Sequence, residues 1–588
     1  MNNDQSHGKS SVYKRSDQVT ERIFALFSAH PYIFAFFVCM VSSLLFFGAA
    51  DNMASYAPAV IGIVSCAAAS LAVTHICNVH RIRFSFSLIA AAGASALCLG
   101  AAWQLKHTRY KMIFLLCFGC IFLLLFYFSF FRKKLRRQFN SFLIMGTGFM
   151  VKLGYVLCTS VYQRQHDIGW FGGEEEIAEG HMGYISYLFH NHHLYNGDYR
   201  CYLQYCHPPL HHAVCALWIK LLNGVFHVEL GKAVESAQFL PLFYSMAIII
   251  AAYKIFRYFA LDGSALYIPL LITSFHPCFI FLSSLMNNDA LAWALTMGAV
   301  LCTLRWYREP TLRNILKIAL CMGLGMMTKI SAALAAPPIA MIFLTVFLRG
   351  RKTVWKKLIG QFAAFLGVCA PLGLWFPLRG LIRWGIPLTY VQELPEMDQS
   401  IKGITFWERI TDFSPVQFRR VFINWLWYDE TGAPQSFNEH NPLIAILKNS
   451  IFSEFIGFDS GCFMEYFCKV LFWLAAALAA AAFAAMLIGV FRRGREDKVQ
   501  KLFLVFFHIF LLCNLYYLSR EYPMVCSMNF RYLMPTVITG ALFLGMAVIS
   551  GEKTGKVSVK VLKLSLTAAA MAFAVMSSVV YIVAALGI

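Results

Sequence analysis

Long apolar runs separated by short basic loops make up most of this chain. From residue 31 to the C-terminus, stretches of about 18 or more apolar residues recur, each long enough to cross a hydrocarbon core as a helix. Four such spans are predicted over 31–131 and a fifth over 140–162. Others follow near 236–257, 264–283, 289–305, 313–330, 331–349, 357–378, 464–491, 501–518, 532–549 and 560–585. The pattern predicts an all-α polytopic membrane protein, a transmembrane bundle of roughly 13–15 helices.

Composition agrees. Of the 588 residues 59% are hydrophobic and only 14% charged, below the roughly one-quarter charged residues of a soluble domain. The net charge of +20 would point a soluble protein toward nucleic acid. Here the basic residues fall in loops between spans, so the charge reports topology and no nucleic-acid partner is expected. A cytoplasmic N-terminal tail (1–30) puts RKKLRR (Arg132 to Arg137), RGRKTVWKK (Arg349 to Lys357) and RRGREDK (Arg492 to Lys498) in the cytoplasm as well. The loop with Lys106, Arg109 and Lys111 is the exception, falling outside. The first apolar run follows a long polar tail and leads into further spans, so the first span is expected to be retained. The 18 cysteines are scattered, mostly in apolar stretches, and read as small buried side chains.

Spans one to four contain almost no ionisable residues and read as an accessory module, 31–139. The fifth span delivers the chain to a polar outer loop, 163–235, that begins QRQHDIGWFGGEEEIAEGHMGYISYLF. Two amphipathic helices are expected there, lying flat on the outer leaflet. One, near 176–195, places Ile177, Tyr184, Ile185, Leu188 and Phe189 largely on one side. The other starts at Pro208 and Pro209 and carries Leu210, Val214, Leu217, Trp218 and Leu221 at helical spacing. A second long outer connection, 379–462, includes QFRRVFINWLWYDE and TGAPQSFNEHNP and reads as a partly helical cap. The same parity puts the MNND tetrad and REYPMVCSMNFRY outside, so the polar groups gather on one face.

Each candidate has a structural role and a chemical one. Asp167, at a span end, suits a helix cap or a solvated loop. Asp289 opens a span, where a helix N-terminus favours an anion. Asn288 and Asp289 could instead bind or orient a polar substrate. Lys329 sits in an apolar segment, which is costly unless it snorkels or meets water, an anion or a partner. Arg531, with Tyr532, suits interfacial anchoring, or bidentate contact with a phosphate. Eight histidines, His166, His181, His190, His192, His193, His207, His211 and His212, fall in one loop. A divalent metal there is a possibility, but no HExxH occurs, and no cofactor is expected to be required. His181 and His207 read as groups that order the loop or touch an anion. Tyr184 and Tyr187 read as interfacial aromatics, with stacking on a substrate as the alternative.

Taken in order, QRQHD, GHMGYI, CHPPLHH, SSLMNNDAL (Ser283 to Leu291), GMMTKISAALAAPP (Gly325 to Pro338) and NFRYLMP (Asn529 to Pro535) resemble bacterial membrane glycosyltransferases of the GT-C class. These are similar to the protein O-mannosyltransferases and to the aminoarabinose transferase of lipid A. The resemblance covers roughly 140–549, which it makes a GT-C-like catalytic core, and leaves 550–588 as a final transmembrane helix. It implies a multi-pass enzyme of the cytoplasmic membrane that takes a sugar from a polyprenyl-phosphate donor and gives it to an extracytoplasmic acceptor, a glycan, lipid or protein. It further implies Asp167 as general base and Lys329 and Arg531 as the cations that hold the departing phosphate. One carboxylate suffices, because the donor already carries a good leaving group, whereas a glycosidase needs two. Where relatives carry Asp-Glu, Asp167 is followed by Ile168. Glu174, Glu175, Glu176 and Glu179 are the substitutes, though such a run is more often a solvated face.

Two other classes fit many spans and a basic balance. A transporter or flippase of a lipid-linked sugar would place its polar groups near the midplane between repeated halves. The candidates here cluster at the outer ends instead. A polysaccharide polymerase or ligase would use pyrophosphate-linked carriers and differ in the lipid it releases.

Overall fold

The protein is described from a computed structural model that covers residues 137–350, 354–388, 390–392, 399–414, 427–428, 434–435, 438–458, 461–491, 498–552 and 557–586. The tail, the spans expected over 31–131 and most of QFRRVFINWLWYDE lie outside the described residues.

The all-α polytopic expectation is borne out. In chain order the helices are α1 (Arg137–Cys158), α2 (Gly180–Asn191), α3 (Leu210–Lys220), α4 (Leu230–Ser236), α5 (Phe239–Tyr258), α6 (Ser264–Phe275), α7 (Pro277–Leu282), α8 (Asp289–Arg308) and α9 (Leu312–Thr328). They continue with α10 (Ala336–Gly350), α11 (Trp355–Trp384), α12 (Phe406–Thr411), α13 (Pro442–Phe452), α14 (Phe463–Phe491), α15 (Lys498–Glu521), α16 (Pro535–Glu552) and α17 (Val557–Leu586). A two-residue antiparallel pair, β1 (Trp427–Tyr428) with β2 (Pro434–Gln435), is a minor feature of the outer connection. Among the described residues, eight helical segments are long and apolar enough to cross a membrane.

The described chain falls into two compact units. The first comprises 137–161 and 215–243. In it, Ser160 Oγ donates to Glu235 Oε1 at 2.7 Å, Val161 N donates to Glu235 Oε2 at 3.1 Å, and Gln238 Nε2 donates to the Ser160 carbonyl at 3.0 Å. The C-terminal end of α1, whose last carbonyls and following amides have no helical partner, is thereby fastened.

The second unit comprises 162–214 and 244–586. Here α9 packs between α8 and α11, while α6 packs on α16 and α17. The backbones of α9 and α11 approach closely: a Cβ at Gly323 would meet Leu372 and the Cys369 carbonyl, and one at Gly373 would meet Met326. Small residues at such crossings are the usual means of packing helices where lipid supplies no hydrophobic drive.

Three expectations need correction. The span expected over 264–283 is broken: His276 is extended (φ −61°, ψ 128°) between α6 and α7, because Pro277 disfavours helical geometry in the residue before it. The helix near 176–195 is shorter, and every residue from Gly180 to Tyr187 is buried, His181 and Ser186 included, so α2 lacks the one-sided face of an interfacial helix. On α3 the expected apolar stripe is split. Leu217 and Leu221 are exposed while Trp218 is buried, and the deepest positions belong to His211, His212, Cys215 and Ile219.

Candidate active site

The site belongs to the second unit and begins in the turns between α1 and α2. Three residues there hold left-handed backbone, Arg164 (φ 56°), Asp167 (φ 49°) and Gly169 (φ 62°). Asp adopts this region more readily than most residues because its short polar chain bonds locally. A Cβ at Gly169 would run into the Glu179 carbonyl, so only glycine lets this loop lie against the start of α2. The first amides of α2 need partners outside the helix. Gly180 N donates to the Leu203 carbonyl (3.1 Å), His181 N to the Asp167 carbonyl (2.9 Å) and Met182 N to the Ile168 carbonyl (2.7 Å). The backbone of Asp167 is thus fixed while its side chain stays 37% exposed.

Two further ties bring other segments to Asp167. Gln165 donates from Nε2 to the Ser284 carbonyl (2.8 Å) and accepts at Oε1 from Met286 N (2.9 Å). His211 Nε2 lies 2.9 Å from the Met286 carbonyl. These bonds hold the polar turn ahead of α8. There Asn288, wholly buried, donates from Nδ2 to the Thr328 carbonyl at 3.0 Å, tying the start of α8 to the end of α9.

Beyond Thr328 the chain breaks its helix at Lys329, which is extended (φ −155°, ψ 127°). Its Nζ lies 2.6 Å from Asp289 Oδ1. Asp289 is only 3% exposed and Lys329 13%. The costly lysine has therefore found a carboxylate. Asp289 is held as that partner, its N–H donating to Asn287 Oδ1.

Arg531 completes the cluster from the 3-10 turn Phe530–Tyr532. Its carbonyl accepts from Trp293 Nε1 at 2.7 Å, and its N–H donates to Asn529 Oδ1 at 2.9 Å. The guanidinium reaches toward both carboxylates, 3.7 Å from Asp167 Oδ2 and 3.9 Å from Asp289 Oδ2, beyond hydrogen-bond length in each case. Nη2 donates to Tyr532 Oη at 3.1 Å, while Nε is buried without a hydrogen-bond partner. Burial opposes the charge of Arg531, but Tyr532, Asp289, Asp167 and Glu454 more than offset this and hold it above the ordinary guanidinium range. The result is a permanently cationic group with a donor to spare.

Sequence reasoning missed Glu454. It follows α13, its side chain 10% exposed, with Oε2 2.9 Å from His166 Nδ1 and Oε1 accepting from Asn529 Nδ2 at 2.6 Å. Burial would raise its pKa, yet His166, Arg531 and Asn529 hold it below the usual glutamate range. The available signal was a lone carboxylate inside the otherwise apolar run SIFSEFIGF.

Among the described residues, no group of three His, Cys, Asp or Glu side chains is arranged to hold a metal. Instead, His181 Nδ1 lies 2.9 Å from His212 Nε2, and the His181 ring lies parallel to that of His207 at 5.7 Å. Burial, then positive neighbours, lowers the pKa of His181. Burial and then Lys329 lower His207 to about 3, and burial lowers His211 to about 4 and His212 well below 6.5. These are neutral imidazoles at pH 7, and in the His181–His212 pair one ring donates while the other accepts. Asp289, Lys329 and Arg531 all act on the charge of His207, which places it beside the cluster. Tyr184 is 2% exposed in an aromatic core with Tyr187, Tyr199, Tyr205 and Phe376, stacked on Tyr205 and packed on His212, each at 4.6 Å.

The candidates thus resolve into a core of Asp167, Asp289, Lys329 and Arg531. Asn288 is built into its frame, His207 borders it, His181 lies one ring further back, and Tyr184 is outside it. Such a cluster, two carboxylates of unequal exposure against two cations, can accept a proton at Asp167 and bind an anion at Arg531 and Lys329.

No curated protein matches the chain. Among solved structures it is similar to ArnT from Cupriavidus metallidurans, crystallised with undecaprenyl phosphate, at 12% identity over 76% of each chain with a TM-score of 0.39. It is also similar to the archaeal oligosaccharyltransferase AglB from Archaeoglobus fulgidus, solved with an inhibitory peptide and a dolichol-phosphate. That match has 12% identity and a TM-score of 0.42, covering 76% of this chain and 56% of AglB. The model of the dolichyl-phosphate-mannose-protein mannosyltransferase family matches residues 206–375, a segment with His207, Asn288, Asp289 and Lys329 but not Asp167 or Arg531. The resemblance read from the motifs is borne out over 206–375, where this chain is similar to the dolichyl-phosphate-mannose-protein mannosyltransferase family.

Proposed function

We propose that this protein transfers a sugar from a polyprenyl-phosphate donor to a hydroxyl acceptor on the extracytoplasmic side of the cytoplasmic membrane, with inversion at the anomeric carbon. The observation that carries this reading is the pairing of an accessible carboxylate, Asp167, with a buried guanidinium that still has an unpartnered donor, Arg531, 3.7 Å away. Asp167 takes the proton of the acceptor hydroxyl as its oxygen forms a bond to the anomeric carbon. The bond from that carbon to the phosphate oxygen breaks on the opposite face, and the phosphate leaves with the electron pair. Arg531 and Lys329 neutralise the charge that develops there, which lowers the barrier most where water is excluded. Asp289 keeps Lys329 in place without competing for the proton, since it is buried and already paired. ArnT and AglB, solved with undecaprenyl phosphate and a dolichol-phosphate, are consistent with a carrier of this class.

The test is lipid mass analysis of membranes from cells lacking the protein and complemented with the wild-type chain or Asp167→Asn at matched expression. A polyprenyl-phosphate monosaccharide should accumulate without the protein, clear with wild type and persist with the variant; its mass names the sugar class. Equal carrier levels in all three strains refute the donor assignment.

A further inference from the structure

Glu454 has no part in the chemistry above, yet both of its carboxylate oxygens are engaged. One meets His166, the residue before Asp167, and the other meets Asn529, whose own Oδ1 caps the turn that carries Arg531. A single side chain therefore joins the loop of the base to the loop of the cation. The joint is held in place on its far side: His166 packs between Phe281 (5.8 Å) and Phe455 (4.9 Å), and Phe530 N donates to Asn449 Oδ1 at 2.9 Å.

We propose that Glu454 is a positioning residue for the transfer reaction, setting the separation of Asp167 and Arg531 by bridging His166 to Asn529. This rests on the reading of Arg531 as the phosphate-binding cation. The 3.7 Å gap between Arg531 and Asp167 is then a designed distance. Closer, the two would form a bidentate pair that consumes both base and anion site, and further apart they could not serve the same transferring sugar. Geometry and charge make opposite forecasts here. As a charge, Glu454 opposes a phosphate and its removal tightens binding. As a bridge, it holds Arg531 in place and its loss weakens binding.

The experiment uses the purified full chain in nanodiscs with undecaprenyl phosphate as probe, comparing wild type with Glu454→Gln, Glu454→Asp, Glu454→Ala, Asn529→Ala and Arg531→Ala. Glutamine keeps the length and, with its oxygen accepting from Asn529 and its NH2 donating to His166 Nδ1 in the Nε2–H tautomer, keeps both arms, while aspartate keeps the charge but spans too little. Bridging predicts that Kd rises about tenfold or more for Glu454→Asp and Glu454→Ala, stays within about threefold for Glu454→Gln, and rises no further when Asn529→Ala is added to Glu454→Ala. Hydrogen exchange without ligand should quicken in both 162–169 and 525–532 for Glu454→Ala but not for Glu454→Gln. Equal or tighter binding by Glu454→Gln and Glu454→Ala, with Glu454→Asp like wild type, overturns the proposal in favour of a simple charge. Unchanged exchange in Glu454→Ala overturns it too. If wild type and Arg531→Ala alike fail to bind the probe, the donor reading falls, and the exchange pattern alone decides the role of Glu454.

Discussion

Replacing Lys329 by methionine keeps most of the aliphatic stem and removes one charge. That charge sits 2.6 Å from Asp289 Oδ1, and Asp289 is 3% exposed, so solvent cannot replace the lost partner. Deleting one member of a buried pair leaves an uncompensated charge and costs about 3–5 kcal/mol. Lys329 is itself 13% exposed and Arg531 Nε stands 3.9 Å from the other oxygen of Asp289, so the lower end applies, about 3 kcal/mol. That corresponds to roughly a hundredfold in the folding equilibrium. The nearest remaining cation is Arg531, and its movement toward Asp289 would draw it from Asp167. Lys329→Met should therefore lower stability and donor binding together. A double-mutant cycle with Asp289→Asn isolates the pair: in the double variant most of the stability returns, with a coupling of about 2–3 kcal/mol, while donor binding does not. Chemical denaturation in detergent and a binding titration with undecaprenyl phosphate supply the two readouts. Additive stability losses would refute the pairing, and recovery of donor binding in the double variant would refute a direct role for Lys329 at the phosphate.

Asp167→Asn should bind the donor normally but lower kcat about 10²–10⁴-fold, the range expected for removing a general base; a loss confined to KM would argue against that role. Gln165→Ala removes two hydrogen bonds and strands the Met286 amide, costing about 2–3 kcal/mol of stability; an unchanged denaturation midpoint would show that the loop is held by other contacts. His207 and His211 have folded pKa values lowered to about 3 and about 4, so the unfolded chain binds their protons first as pH falls. Their contribution is complete above about pH 6.5 and is lost as pH drops from there toward 4, at up to about 1.4 kcal/mol per pH unit for each histidine. His207→Gln combined with His211→Gln should flatten the melting profile between pH 6.5 and 5, and an unaltered slope would contradict their burial as neutral rings. Tyr184→Ala should cost about 3–5 kcal/mol of stability by opening the aromatic core, whereas Tyr184→Phe should leave the acceptor KM unchanged. A rise in that KM for Tyr184→Phe would return Tyr184 to the substrate.

The spans were legible because twenty apolar residues in a row have few alternatives, and the predicted ends of α8, α11, α14 and α15 lie within a few residues of the observed ones. The break at His276 was legible in principle, since Pro277 was in plain view, but the run of apolar residues on either side hid it. The site divided in the same way. Asp167, Asp289, Lys329 and Arg531 were recognisable because charges at the ends of apolar runs need a reason to be there. Glu454 carried only the signal of a lone carboxylate in an apolar run, which does not name its partners, and the amide clamp of Gln165 carried none, because those partners are far away in sequence. Tyr184 and α2 were misread for a related reason. An amphipathic repeat tells which residues share a face, and burial on the remaining faces comes from loops that the repeat does not describe.

Arg531 meets Trp293 across 238 residues of sequence, and Asn529 meets Glu454 across 75. During synthesis the two carboxylates and Lys329 emerge long before the turn that carries Arg531, and Asp167 faces no guanidinium until then. A nascent chain halted before Asn529 would hold its membrane spans up to α15 and still lack both the spare donor and the far end of the Glu454 bridge. The cluster is thus incomplete until the chain has passed Arg531, so a shorter nascent chain holds both carboxylates and Lys329 without the guanidinium that faces them.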